Sequence, residues 1–199
     1  MLRSYAVRWT TLPNTMITSY AQYTDDERND INILHNTLYR HKKLNIRYST
    51  YDMQEKEDAI YPKNYPGIMV LSSEDDHPYL YARVLDLFHV NVINSRHNSI
   101  FGTEPCRIEM VWVHWYELEQ QQEPSGFHSL RYPSLSLSDN ARGDAYGLIH
   151  PDEIVRRAHL IPNFNALHPG MEDHERVQVN MSVIVHLSFN FIRNQFPTA

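Results

Sequence analysis

Hydrophobic and polar residues alternate over two long stretches in the middle of the chain. In residues 79–93 the even-numbered positions are apolar apart from Asp86, and most odd-numbered positions are amphipathic or polar. A period of two residues predicts a β-strand, and the exception at Asp86 predicts an irregularity there, such as a β-bulge. Residues 107–118 predict a second strand, so the two stretches are expected to pair as a long hairpin.

The clearest alternation lies near the end of the sequence, in residues 177–191. Every odd-numbered position there is apolar, and every even-numbered position except Ile184 is polar. This pattern predicts a strand with one face on a core and the other in water. Fully extended, it would span roughly 50 Å at about 3.3 Å per residue, so we expect it to bend or to contact another copy of the chain.

Two segments carry the signals of helices. Residues 25–39 predict the longer one, because Thr24 and Glu27 form a capping-box pattern and apolar residues follow at helical spacing. Residues 151–157 predict a short helix with Pro151 in its first position. Three further apolar or alternating stretches predict short strands, at residues 44–53, 68–72 and 159–162.

These elements predict an α+β fold that is rich in β-structure. Its main part is a twisted antiparallel sheet or a partly open barrel, and one medium and one short helix flank it. We expect an N-terminal segment with a helix in residues 1–43 and a β domain in residues 44–165. Residues 166–199 are expected to form a loop and the long amphipathic strand, as part of the same sheet.

Composition and charge exclude some classes of function. The 199 residues are 42% hydrophobic, enough for one domain with a core. The net charge is -6 at pH 7, and residues 67–199 hold nine basic residues, all Arg, against sixteen acidic ones. A broad surface for the phosphate backbone of nucleic acids is therefore not expected. The charge does not exclude a local groove lined by Arg, so nucleic-acid binding stays open.

The single cysteine, Cys106, indicates a reducing compartment, because the chain cannot form an internal disulfide. Zinc sites that need two or four cysteines are excluded within one chain. The sequence contains no stretch of 18 or more apolar residues, and the segment MLRSYAVRWTT lacks the apolar region of a signal peptide. We therefore expect an intracellular protein, nuclear or cytoplasmic, with no membrane partner.

Four stretches carry a family resemblance: IMVLS, HPYLYARVLDLFHVNV, WVHWYEL and HPDEIVRRAHLIP. With the residues around them, they resemble the C-terminal region of uncharacterised proteins of mushroom-forming fungi that are associated with Plavaka-type, KDZ-related DNA transposons. The similarity covers residues 38–165. Residues 1–30 match poorly, and the Tyr-rich tail that is usual in the family has only a weak counterpart in VQVNMSV. The resemblance implies a mobile-element origin without implying an activity.

A second resemblance is to bromo-adjacent homology (BAH) domains, which are chromatin-reading β-barrels. Residues 81–88, 111–116 and 150–162 follow the order of that family's strands and helical turn. The resemblance implies a BAH-like partly open barrel and a non-catalytic module that binds chromatin or a peptide partner.

Aromatic rings can hold a methylated lysine by cation–π attraction, which makes five residues the candidate binding set: Tyr79, Tyr81, Trp112, Trp115 and Tyr116. Packing in the core is the alternative interpretation for most of them. Trp112 and Trp115 lie three positions apart on one strand, so they are expected to face opposite sides.

Two alternative functions remain. His150 and Asp152 have the His-x-carboxylate spacing of a metal site, which would make the chain a metal-dependent enzyme; a helix start explains the same residues. The other alternative is a structural domain that self-associates through residues 177–191. Hydrolase, P-loop and dinucleotide motifs are lacking, so no catalytic residue or cofactor is assigned and a non-enzymatic role is favoured.

Overall fold

The fold is α+β and rich in strands, as predicted, in a computed structural model of the chain. The structure describes residues 2–11, 23–50, 52–64, 66–72, 77–95, 104–118, 134–139, 141, 143–162, 181–184 and 192–195. The chain contains two α-helices in this part, α1 (Leu2–Thr11) and α2 (Asp25–Asn29), and two 3-10 turns, Leu34–Asn36 and Pro151–Glu153. No helix in these ranges is long and apolar enough to cross a membrane.

A ten-stranded antiparallel sheet dominates the described residues. Its strands are β1 (Ile31–Ile33), β2 (Tyr39–His41), β5 (Gly67–Leu71), β6 (Tyr79–Asn94), β7 (Cys106–Leu118), β8 (Ser134–Leu137), β9 (Tyr146–Ile149), β10 (Ile154–Arg157), β11 (His159–Pro162) and β12 (Met181–Ile184). Their order is β10-β5-β6-β7-β8-β12-β11, while β1 and β2 pair with β6, and β9 pairs with β7. A smaller sheet contains β3 (Leu44–Ser49), β4 (Glu55–Ile60) and β13 (Ile192–Gln195).

The long hairpin of β6 and β7 is the centre of the large sheet, which confirms the prediction from the alternating pattern. Its register shifts by one residue between Val84, which pairs with Val113, and Asp86, which pairs with Trp112. Leu85 is therefore the extra residue of a β-bulge, at the irregularity that the sequence predicted. A bulge increases the local twist and changes the direction in which neighbouring side chains point.

The large sheet curls, so that its two ends approach one another. Strands β10 and β11 stand at opposite ends of the strand order, yet only Ala158 separates them in the chain. The Ala158 N–H donates to the carbonyl oxygen of Gly67 at 2.9 Å, which holds this corner against β5. The sheets are antiparallel and do not close into a barrel, in agreement with the predicted β-rich α+β fold.

Three hydrophobic clusters fill the spaces on the two faces of the large sheet. The first joins the hairpin to the smaller sheet and includes Leu44, Ile46, Ile60, Val84, Leu87, Val111 and Val113. The second lies beneath α1 and includes Tyr5, Ala6, Val7, Ile31, Val90, Val92 and Ile108. The third lies inside the curl and includes Met69, Tyr81, Tyr116, Leu135 and Ala158.

The helix predicted for residues 25–39 is wrong beyond its first turn. Thr24 does form the predicted capping box with Glu27, but α2 ends at Asn29 and β1 begins two residues later. Ile31 is buried by pairing with β6, whereas Leu38 is 49% exposed, so the apolar residues do not share a helical face. The medium helix is instead α1, in a region where the sequence shows no clear period.

The short helix predicted for residues 151–157 is also shorter than expected. Pro151 begins a single 3-10 turn that ends at Glu153, and Arg156 and Arg157 belong to β10 instead. Pairing with β5 supplies the backbone partners that a longer helix would have needed.

Of the strand predicted at residues 177–191, the structure describes only residues 181–184; the others lie outside the described residues. The described part, β12, belongs to the large sheet and pairs with β11 and with β8. Residues 181 and 182 therefore have partners on both sides, so they do not form a free edge. The following strand, β13, joins the smaller sheet.

Candidate functional site

The five aromatic residues predicted to bind a ligand lie in different surroundings. Tyr81 and Tyr116 are directly opposite one another and are 4% and 7% exposed, within the third cluster. Tyr79 packs against the same cluster, and Trp115 packs against the first cluster. Trp112 is 39% exposed and is the most accessible of the five. As predicted, the two tryptophans face opposite sides, so the five rings do not form one cage.

Trp112 instead has a ring neighbour that the sequence did not predict, Tyr146, and Tyr146 in turn contacts His114. The rings of Trp112 and Tyr146 lie 6.3 Å apart, and Tyr146 stacks on His114 at 4.5 Å with an angle of 25° between the planes. His114 is held in place because its Nε2–H donates to the carbonyl oxygen of Ser138 at 2.9 Å. We call Trp112, His114 and Tyr146 the aromatic surface.

Strand pairing explains how the aromatic surface forms. Tyr146 pairs with His114 because β9 runs antiparallel to β7, and directly opposite residues place their side chains on the same face. Tyr146 lies in a strand of four residues within GDAYGLI. Nothing in so short a segment indicates which strand it will join, so no local signal could have found this residue.

An acidic residue stands beside the aromatic surface. Asp86 pairs with Trp112 at the bulge, so the two side chains lie on the same face. The Asp86 side chain is 13% exposed and accepts a bond of 2.8 Å from Nε of Arg40 and one of 3.0 Å from the N–H of Leu87. The Arg40 side chain is 66% exposed. The Asp86 carboxylate therefore already binds a cationic group, the exposed guanidinium of Arg40.

A pair of histidines lies on the opposite face of the same hairpin. Nε2 of His41 and Nδ1 of His89 are 2.6 Å apart, and Tyr39 stacks on His89 at 4.7 Å. Burial, and to a lesser degree the positive charge of Arg107, lowers the pKa of both imidazoles, that of His89 to about 4. Glu109 pairs with His89 and holds Arg107 at 2.9 Å. The histidine pair is therefore neutral at pH 7.

The histidine pair predicts a dependence of stability on pH. The pKa of His89 falls from 6.5 to about 4 on folding, so the unfolded chain binds more protons between these values. The contribution of His89 to the free energy of unfolding is therefore expected to be fully present above pH 6.5 and to decrease as the pH falls towards 4. The loss in midpoint temperature between pH 7 and pH 4.5 should be smaller for His89→Asn than for the unaltered protein, and unchanged in the control His159→Asn. Equal losses in all three proteins would contradict this.

His150 and Asp152, the candidate metal residues, act as a cap for the 3-10 turn. Nδ1 of His150 accepts a bond of 3.2 Å from the N–H of Asp152, and the Glu153 carboxylate accepts one of 3.1 Å from the N–H of His150. The His150 ring stacks on Trp9 at 4.0 Å. In the part of the chain that the structure describes, no three His, Cys, Asp or Glu side chains come together in a way that could hold a metal ion.

The fold and these surfaces define a β-rich α+β domain with an exposed aromatic patch on the face of an antiparallel sheet. Comparison with protein-family models, with curated proteins and with solved structures finds no match.

Proposed function

We propose that this protein is a non-catalytic interaction module that binds a cationic side chain of a partner protein at Trp112, Tyr146 and Asp86. The observation that carries the proposal is the exposed ring of Trp112, placed beside a second aromatic ring and opposite a carboxylate. Cations are attracted to the faces of Trp and Tyr rings, and a nearby carboxylate adds direct charge attraction.

Lysine, methylated lysine and arginine are the side chains that fit this chemistry. The ion pair between Arg40 and Asp86 supports the proposal, since a guanidinium already occupies one end of the surface. Arg40 is exposed enough to move aside for a ligand, and the exchange of one cation for another costs less than desolvating an unpaired carboxylate. The net charge of -6 also favours a basic partner over an acidic one.

The same proposal includes a chromatin partner, which would bind through a basic histone tail. It also includes an origin of the protein in a mobile element. Both rest on the sequence resemblances and on the charge of the surface. A methylated lysine would gain more from the two rings than an unmodified one, because it is less strongly hydrated and presents apolar methyl groups to them.

The test is a binding titration with two histone-tail peptides of identical sequence, one with a trimethylated lysine and one without. Cation–π contacts contribute about 0.5–2 kcal/mol, so Trp112→Ala is expected to weaken binding about 3- to 30-fold. Tyr146→Ala and Asp86→Asn should also weaken it. Fluorescence anisotropy of labelled peptides measures the affinities.

The matched control is Tyr61→Ala, which removes an aromatic ring that is 36% exposed and directly follows β4 of the smaller sheet. Its affinity for both peptides should equal that of the unaltered protein. If Trp112→Ala binds both peptides as tightly as the control does, or if the unaltered protein binds neither peptide, the proposed function is wrong.

A further inference from the structure

A cleft lies between the first turn of α1 and the part of the chain that leads from α2 to β2. Its volume is about 710 Å³, and the described residues that line it are Leu2, Arg3, Ser4, Arg28, Ile33, Asn36, Thr37 and Leu38. Cavities that bind small organic ligands have volumes of about 300–1,000 Å³. The cleft is therefore large enough for a small organic molecule.

The chain between β1 and β2 forms one wall of the cleft. Both strands pair with β6, and the 3-10 turn Leu34–Asn36 lies between them in the chain. His35 and Asn36 have positive φ angles in this turn. Strained backbone of this kind is concentrated at sites that bind ligands. The turn brings Asn36 to the same cleft as Arg3 of α1.

Two guanidinium groups give the cleft a positive charge. Nη1 of Arg3 donates to the neutral side chain of Asn29 at 3.4 Å. Arg28 donates to the carboxylate of Asp25 at 2.9 Å, but both side chains of this pair are exposed, so water weakens their attraction. No acidic residue is among the described residues that line the cleft. An anion in the cleft would therefore be attracted to it, although the whole chain has a net charge of -6.

The other lining residues supply neutral donors and an apolar surface. The hydroxyl of Ser4 and the amide of Asn36 can both donate to an anion. Leu2 and Ile33 pack against the second hydrophobic cluster, while Leu38 is 49% exposed. An apolar group bound beside Leu38 would remove this side chain from water. The cleft thus suits a ligand that has an anionic group and an apolar group.

We infer that the cleft binds a small phosphomonoester that carries an apolar group. A phosphomonoester has a charge of about -1.5 to -2 at pH 7 and three strong acceptor oxygens, so its charge matches the two guanidinium groups better than that of a carboxylate does. Arginine donates two parallel hydrogen bonds to phosphate oxygens. None of the described lining residues belongs to the aromatic surface, so this inference does not depend on the proposed function.

The experiment is a nuclear magnetic resonance titration of the isotope-labelled full chain at pH 7 with phenyl phosphate. The backbone amide resonances of Ser4 and Thr37 should shift. Phenyl phosphate should bind at least about threefold more tightly than inorganic phosphate, which lacks the apolar group, and than benzyl alcohol, which lacks the charge. Leu38→Ser should weaken the binding of phenyl phosphate and leave that of inorganic phosphate unchanged.

Arg3→Gln and Arg28→Gln should each weaken the binding of phenyl phosphate about tenfold, because each variant loses charge-assisted hydrogen bonds. The matched control is Arg47→Gln, which removes an exposed guanidinium from β3 and should bind as the unaltered protein does. Equal affinity for phenyl phosphate in Arg3→Gln, Arg28→Gln and the control would overturn the inference.

A measurement on the unaltered protein keeps the test decisive if a variant fails to fold. Raising the potassium chloride concentration should weaken the binding of phenyl phosphate and leave that of benzyl alcohol unchanged, because salt screens exposed charges. Binding of phenyl phosphate that does not depend on salt would overturn the inference. So would a titration in which the resonances of Ser4 and Thr37 do not shift.

Discussion

Gly67→Ala is expected to reduce the free energy of unfolding by about 3 kcal/mol, at the upper end of the usual range for overpacking. A Cβ at this position would lie 2.5 Å from the carbonyl oxygen of Ala158 and 3.2 Å from side-chain atoms of Leu160. The oxygen belongs to the backbone at the corner between β10 and β11. Moving it would disturb the bond by which the Ala158 N–H donates to Gly67.

Two other glycines provide matched controls for this prediction. At Gly143 an added Cβ meets nothing within 4 Å, so Gly143→Ala should leave stability nearly unchanged. At Gly147 the nearest atom is Nε1 of Trp115, at 2.8 Å, and a side chain can yield where a backbone cannot. Gly147→Ala is therefore expected to fall between the two. Urea unfolding measures all three free energies, and a Gly67→Ala value within about 0.5 kcal/mol of the Gly143→Ala value would contradict the packing at the corner.

Arg156→Ala is expected to reduce the free energy of unfolding by about 3 kcal/mol, because it leaves a largely buried carboxylate without its ion-pair partner. The Arg156 and Asp58 side chains are 17% and 14% exposed, and Nε lies 3.4 Å from Oδ2. Nη2 of Arg156 also donates to the hydroxyl of Tyr48 at 2.8 Å, and the guanidinium lies 4.0 Å from the centre of that ring. These contacts connect β10 of the large sheet to both β3 and β4 of the smaller one.

The control for Arg156 is Arg47→Ala, which removes one of two cationic partners of Glu57, from an ion pair of 3.5 Å on the smaller sheet. Both side chains of that pair are exposed, by 68% and 39%, so the expected change is about 0–0.5 kcal/mol. Arg156→Lys should recover only part of the loss, since an ammonium cannot stack on Tyr48 and reach Asp58 at the same time. Thermal and urea unfolding compare the variants, and full recovery by lysine would show that charge alone matters.

The parts of the fold that the sequence predicted are those where the pattern and the burial agree. Alternation over residues 79–93 and 107–118 predicted β6, β7 and their pairing, and the polar Asp86 marked the position of the bulge. The helix predicted at residues 25–39 was wrong because its sequence pattern and its burial disagree. Pairing of Ile31 with Asn94 overrode local helical spacing, and positive φ angles at His35 and Asn36 end any helix there.

Less of the candidate site was predictable, because pairing between distant strands creates it. The sequence singled out Trp112 but grouped it with Tyr81 and Tyr116, which the curl of the sheet buries. Its actual neighbour, Tyr146, comes from a strand too short to show which partner it takes. The histidine pair likewise depends on β2 lying against β6, a contact that the predicted helix would have excluded.

The single residue between β10 and β11 has a consequence for how the chain folds. Residues 146–162 pair first with β7, then with β5 and then with β12. The edges of β5 and β7 therefore wait for one later segment, and that segment waits in turn for β12, which follows it in the chain. Contacts between residues far apart in sequence slow folding, because the entropy of closing each loop is lost before any contact compensates for it. During synthesis on the ribosome, β5 and β7 emerge before that segment. The edge of β5 that pairs with β10 and the part of β7 that pairs with β9 stay unpaired until the segment follows, which makes this interval the one in which a chaperone would protect the protein most.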